Sequence, residues 1–142
     1  MKAPVSCSPA ELCALAVEAR KSSYSPYSGF KVGAALLSGS GKIYTGCNIE
    51  NAAYTPTVCA ERVAFFKAVS EGETDFIAIA IAGGTGNEPD GECPPCGVCR
   101  QVMMEFCAPD TFKVYLAKSN TEYTPLTLKE LLPYGFGPGN LK

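Results

Sequence analysis

Histidine is absent from the 142 residues. That excludes every mechanism built on imidazole, including Ser-His-Asp and Cys-His hydrolysis and the zinc proteases that read H-E-x-x-H. Any metal must be held by cysteine, aspartate, glutamate or backbone. Any general base must be a carboxylate, a lysine, a tyrosine or a metal-activated water. Apolar runs are also short, none approaching the roughly 20 residues that span a bilayer. Residues 1–7 lack the apolar stretch of a secretory leader, so the chain is expected to work in the cytoplasm, with no membrane partner. An excess of basic residues is missing too. The formal net charge is -2, whereas nucleic-acid binders carry basic patches that replace counterions on the phosphates. A nucleic-acid partner is therefore not expected.

The composition present, 46% hydrophobic and 18% charged, is that of a folded chain. The length fits a single domain over residues 1–142, and no internal repeat or linker divides it. Eight cysteines in a reducing compartment are expected to be free, catalytic or metal-bound rather than paired.

The pattern of elements is α/β. Ser8, Pro9 and Glu11 read as an N-cap, a first-turn proline and the far half of a capping box, opening a helix that runs to about Ser23. Residues 30–37 and 42–49 read as two strands joined by the turn at Ser38-Gly39-Ser40-Gly41, a hairpin. Residues 59–69 form a helix burying Val63, Ala64, Phe66 and Ala68, ended by Gly72. Residues 76–82 (FIAIAIA) are apolar at nearly every position, which marks a strand covered on both faces. Residues 83–91 form a glycine-rich loop; without a following Gly-Lys-Ser/Thr it is a turn rather than a phosphate loop. A helix over 96–106, a strand over 112–117 and a short helix capped by Thr127 and Glu130 complete a three-layer α/β/α domain, with an irregular tail over 133–142.

Two short cysteine motifs carry the chemistry. Cys96 and Cys99 lie three apart in a first helical turn, where the helix dipole favours thiolates. Alone, this C-x-x-C also fits a redox pair or half of a structural zinc site. Cys93 repeats the spacing, but Pro94 and Pro95 keep it out of the helix and leave it a loop thiol. Cys59 and Glu61 open the other helix. Positions two apart on a regular helix point about 200° apart, so both can address one site only off the helix N-terminus. Together, Cys59, Cys96 and Cys99 give zinc three ligands and leave one position open, the mark of a catalytic site. A glutamate two residues from the first ligand is suited to moving protons. Cysteine or histidine, then glutamate, then C-x-x-C is the signature of zinc deaminases.

These residues, with Tyr24-Ser25-Pro26-Tyr27-Ser28, Phe30 to Leu36, Gly46-Cys47-Asn48-Ile49-Glu50-Asn51-Ala52, Cys59-Ala60-Glu61-Arg62, Pro95 to Gln101 and Phe136-Gly137-Pro138, resemble the small cytidine deaminases over nearly the whole chain. The resemblance implies a central mixed five-stranded sheet, one zinc ion per subunit, a nucleoside substrate and a homotetramer with shared sites. It assigns proton transfer to Glu61 and the ribose 3′-hydroxyl to Asn48 and Glu50. Phe30 and Phe136 would pack on the pyrimidine, Phe136 reaching in from a neighbouring subunit. Tyr54 would help build a neighbour's site near the 5′-hydroxyl, and Ala60 would contact substrate. Residues 83–91 are less typical of the family and are expected to alter an edge of the pocket.

On local sequence alone Phe30 also fits the core, and Asn48 and Glu50 fit a solvated rim. Three thiolates leave the zinc centre negative, so one or both of Arg62, on the face of Cys59, and Arg100, next to Cys99, are expected to donate to ligand sulfurs. A related aminopyrimidine deaminase of blasticidin type, a structural zinc module closed by Cys93 or Cys47, and a thiol-disulfide enzyme remain open as other readings.

Overall fold

The computed structural model describes residues 7–142; the leaderless start expected from residues 1–7 falls almost wholly outside them. Five strands form one mixed sheet in the order β2-β1-β3-β4-β5. β1 (Lys31–Ser38) and β2 (Ile43–Cys47) make the expected antiparallel hairpin. β3 (Phe76–Gly84) pairs antiparallel with β1 and parallel with β4 (Lys113–Ala117), and β5 (Tyr123–Thr127) closes the far edge antiparallel to β4. β3 is central and buried at every position but Ile77, as its unbroken apolar run requires. It extends to Gly84, taking the first two residues of the expected glycine-rich loop.

Helix α1 (Pro9–Ala19) covers one face, packing Leu12, Cys13 and Ala16 on Ala35, Leu37, Ala78 and Ala80. It is shorter than expected, because residues 20–22 tighten into a 3₁₀ turn. Ser8 accepts from the Glu11 amide, the half of the capping box that is present. Helices α2 (Ala60–Ser70) and α3 (Gly97–Phe106) cover the other face. In α2 the inward residues are Ala60, Glu61, Ala64, Phe65 and Ala68, and Phe66 is half-exposed. Ala64 and Ala68 lie inward as expected, whereas Val63 is only partly buried and Phe65 takes the inward place expected of Phe66, its ring nesting among Phe76, Phe106 and Phe112. The short α4 (Leu128–Leu131) carries the complete Thr127–Glu130 capping box. No helix among the described residues is long and apolar enough to cross a membrane.

Two glycines bring the helices close to the sheet. A Cβ at Gly33 would run into the backbone of Ala16 in α1 and of Arg20 just after it. One at Gly46 would strike the Ala60 carbonyl and stand 2.8 Å from the Ala64 amide. The second approach seats the start of α2, and so the site, on β2.

Candidate active site

Cys59 and Cys96 are the N-caps of α2 and α3, both with extended backbone, and neither side chain caps its helix. Their sulfurs are therefore turned outward, and Cys99 joins them from the first turn of α3. The Cys59 and Cys96 sulfurs stand 3.6 Å apart and those of Cys96 and Cys99 3.5 Å apart. The three form the one group of potential metal-ligating side chains among the described residues, with all sulfurs within 4.8 Å of one another. Sulfurs at about 2.3 Å from a tetrahedral zinc lie roughly 3.8 Å apart, so the donor set fits that ion. Neither Cys93 nor Cys47 joins the group; Cys47 points its thiol at the Ser22 carbonyl, 3.3 Å away. The closed four-cysteine arrangement of a structural module is not formed.

Two helix N-termini face this cluster, and their partial positive charge favours thiolates. The hydrogen bond from Cys99, and then those from Arg62 and Cys96, drive the Cys59 thiol well below its ordinary range. The same bond to Cys59 drives Cys99 the other way. Arg62 donates from Nη2 to the Cys59 sulfur at 3.4 Å. Arg100 does not reach a sulfur. Its Nε donates to the Pro95 carbonyl at 2.8 Å and its Nη1 to the Leu131 carbonyl. One residue beyond Cys99 on a helix is about 100° around the axis, so its guanidinium is aimed at α4 and ties the start of α3 to it.

Glu61 lies in the first turn of α2 and is 3% exposed. Burial pushes its carboxyl up to about 7, and its Oε1 has no hydrogen-bond partner among the described residues. A buried unpartnered oxygen costs on the order of 1–3 kcal/mol. Beside three thiols, it is a group held ready for a reacting molecule.

Asn48 and Glu50 extend past β2 between two other segments: Tyr24 bridges to Ile49 on one side and Val58 on the other. Asn48 Oδ1 accepts from the Val32 amide and the Ser23 hydroxyl, and Nδ2 donates to the Phe30 carbonyl at 2.8 Å. One amide hydrogen remains for a ligand. Glu50 accepts from the Tyr27 and Ser28 amides at 2.8 and 3.1 Å and from the Ser28 hydroxyl. The Ser28 hydroxyl comes first among the interactions that lower its pKa. Glu50 helps line an open hollow of about 400 Å³ with Tyr27, Ser28, Asn51, Tyr54 and Thr57. Tyr54 is 74% exposed, adopts φ +62° and meets Tyr27 edge-on. Ala60 is fully buried. Phe136 is 56% exposed on the C-terminal tail, where Gln101 Nε2 donates to its carbonyl at 2.8 Å. The sequence reading missed Ser28 as the partner of Glu50, although it lies within the Tyr24–Ser28 motif.

Three thiols with an open corner beside a buried carboxyl place the chain among hydrolytic zinc enzymes rather than structural zinc modules. The particular family follows from comparison with known proteins. The family model of the cytidine and deoxycytidylate deaminase zinc-binding region matches residues 8–115, and the chain belongs to that family. It is 51% identical over 121 residues to a cytidine deaminase of Halalkalibacterium halodurans, covering 85% of this chain and 88% of that one. It is 48% identical over 131 residues to one of Sporosarcina psychrophila, covering 92% and 93%. The crystal structure of cytidine deaminase from Burkholderia pseudomallei superposes with a TM-score of 0.82 at 43% identity, over 91% of this chain and 99% of that one.

Proposed function

We propose that this chain hydrolyses the exocyclic amino group of cytidine and 2′-deoxycytidine, giving uridine or 2′-deoxyuridine and ammonia. The observation that carries the reading is the buried, half-unpartnered Glu61 carboxyl beside the cluster of Cys59, Cys96 and Cys99. When held by the three thiols, zinc supplies Lewis-acid activation of water. Glu61 accepts a proton from the attacking water and delivers one to ring N3. Once the water oxygen has bonded to C4, Glu61 takes the second proton from the new hydroxyl and delivers it to the amino nitrogen; the C4–N bond breaks, ammonia departs and the C4 carbonyl is left. Burial raises this carboxyl from its ordinary range in the metal-free fold, which suits a group that must both take and give a proton. Arg62 draws charge from the Cys59 sulfur and so offsets the surplus of three thiolates.

Phe30 lies against the pyrimidine. Asn48 offers its remaining amide hydrogen, and Glu50 its carboxylate, to the ribose 3′-hydroxyl. The working form is a homotetramer, in which Phe136 and Tyr54 of one copy complete a neighbour's pocket; their exposed rings in the single chain support this. Residues 1–142 act as one cytoplasmic unit in pyrimidine salvage. Turnover of cytidine, 2′-deoxycytidine, free cytosine and blasticidin S tests the reading. Both nucleosides are turned over and free cytosine is not, because Asn48 and Glu50 act on the sugar. Preference for free cytosine or blasticidin S overturns it.

A further inference from the structure

Arg20 follows α1 and is 3% exposed, yet among the described residues its hydrogen-bond acceptors are all backbone carbonyls. Nε donates to the Lys31 carbonyl at 3.1 Å and Nη1 to the Asn87 carbonyl at 3.3 Å. Nη2 donates to the carbonyls of Gly84 at 2.8 Å and Gly86 at 2.9 Å. One planar fork thus joins the start of β1, the end of β3 and the loop after β3. The acceptors are backbone carbonyls, and what the guanidinium provides here is geometry: five rigidly placed donors that no other side chain matches. The loop is also tied from its other side, where Asp90 accepts from the Thr85 amide and hydroxyl and donates its own amide to the Gly83 carbonyl.

The segments joined by Arg20 flank an aromatic wall. Lys31 follows Phe30, and Gly84 follows Gly83. A Cβ on Gly83 would lie 2.7 Å from the Cys93 sulfur and 3.0 Å from Phe30 Cε1, so ring, sulfur and strand backbone pack with no room to spare. Cys93 also adjoins the site. Its thiol is pushed up to about 11, first by burial and then by the charges of Glu61 and Cys59. A displacement of either strand end would therefore pass directly to the ring of Phe30.

We propose that Arg20 is a positioning residue for the pyrimidine: by clamping four carbonyls it fixes the wall of Phe30, Cys93 and Gly83 and thereby sets nucleoside affinity without touching substrate. The inference rests on the reading that Phe30 packs on the base. A wall used equally by substrate and transition state acts on KM and leaves kcat alone, and aromatic packing of this kind corresponds to a change of about tenfold.

The test is steady-state deamination of cytidine by zinc-loaded wild type, Arg20→Ala and Arg20→Lys, with and without methylguanidinium at a non-denaturing concentration. Arg20→Lys keeps the charge and the stem, and carries the test if Arg20→Ala does not fold. Both variants should keep zinc and kcat and raise KM about tenfold, because an ammonium cannot span the four acceptors. Methylguanidinium should lower the KM of Arg20→Ala, and tetramethylammonium should not. A folded variant with wild-type KM overturns the inference, as does a raised KM accompanied by a lowered kcat and unchanged by methylguanidinium. Wild type that leaves cytidine unchanged defeats the functional reading itself; wild type that turns over beside Arg20 variants of unchanged KM defeats only the role of Arg20.

Discussion

Gly46→Ala is a perturbation remote from the reacting groups whose effect can be worked from contacts. The new methyl would stand 2.8 Å from the Ala64 amide, 3.1 Å from Val63 Cβ and nearer still to the Ala60 carbonyl. Two of these are helix backbone and cannot swing aside, so the start of α2 must retreat by about 1 Å to reach ordinary contact. Cys59 caps that turn and Glu61 lies in it. Overpacking of this kind costs on the order of 1–3 kcal/mol, and a 1 Å misplacement of catalytic groups costs about a hundredfold in rate. The assay is loss of cytidine by ultraviolet absorbance, paired with thermal unfolding and zinc analysis. Gly86→Ala, where nothing lies within 4 Å of the added methyl, is the control and should match wild type. A Gly46→Ala protein with wild-type rate and wild-type unfolding temperature would refute the claim that α2 is seated by this contact.

Glu61→Gln should stabilise the zinc-free protein, and only at higher pH. The carboxyl titrates at about 7 in the fold against a reference value of 4.5, so stability falls as pH rises through that window. The penalty is fully present above it, at roughly 3 kcal/mol. Urea unfolding of both proteins at acid and alkaline pH measures this, and a gap that does not grow with pH contradicts it. Phe65→Ala removes a fully buried ring packed on Phe76, Phe106 and Phe112 and should cost about 3–5 kcal/mol in denaturant unfolding. Arg62→Gln removes the donor on the Cys59 sulfur and should weaken zinc retention in chelator competition and slow turnover; unchanged metal affinity and rate across neutral pH would remove Arg62 from its role.

The central strand was plain in the sequence because FIAIAIA leaves no polar face to expose. β5 was not legible from its residues: Tyr-Thr-Pro-Leu-Thr is polar and holds Pro125, which a sheet tolerates at an edge. It was anticipated only through the family resemblance. The three sulfurs were legible because proline and the helix starts fixed their direction. Cys59 and Glu61 serve one site because Cys59 is an extended N-cap, free of the angle a full helical turn would impose. Arg100 misled through adjacency, since sequence neighbours on a helix do not share a face. Arg20 carried no signal at all: an arginine before a lysine at a helix end looks like ordinary dipole compensation, and its four acceptors come from segments 11 to 67 residues away.

The central claim is that Cys59, Cys96 and Cys99 hold one zinc ion while Glu61 moves the protons. Zinc content and cytidine turnover, measured together on wild type, Glu61→Gln and Cys99→Ala, test it most directly. The account predicts one zinc per chain in wild type and Glu61→Gln, with turnover in wild type only, and loss of both zinc and turnover in Cys99→Ala. Turnover by zinc-loaded Glu61→Gln near the wild-type rate, or full activity without zinc, would contradict it.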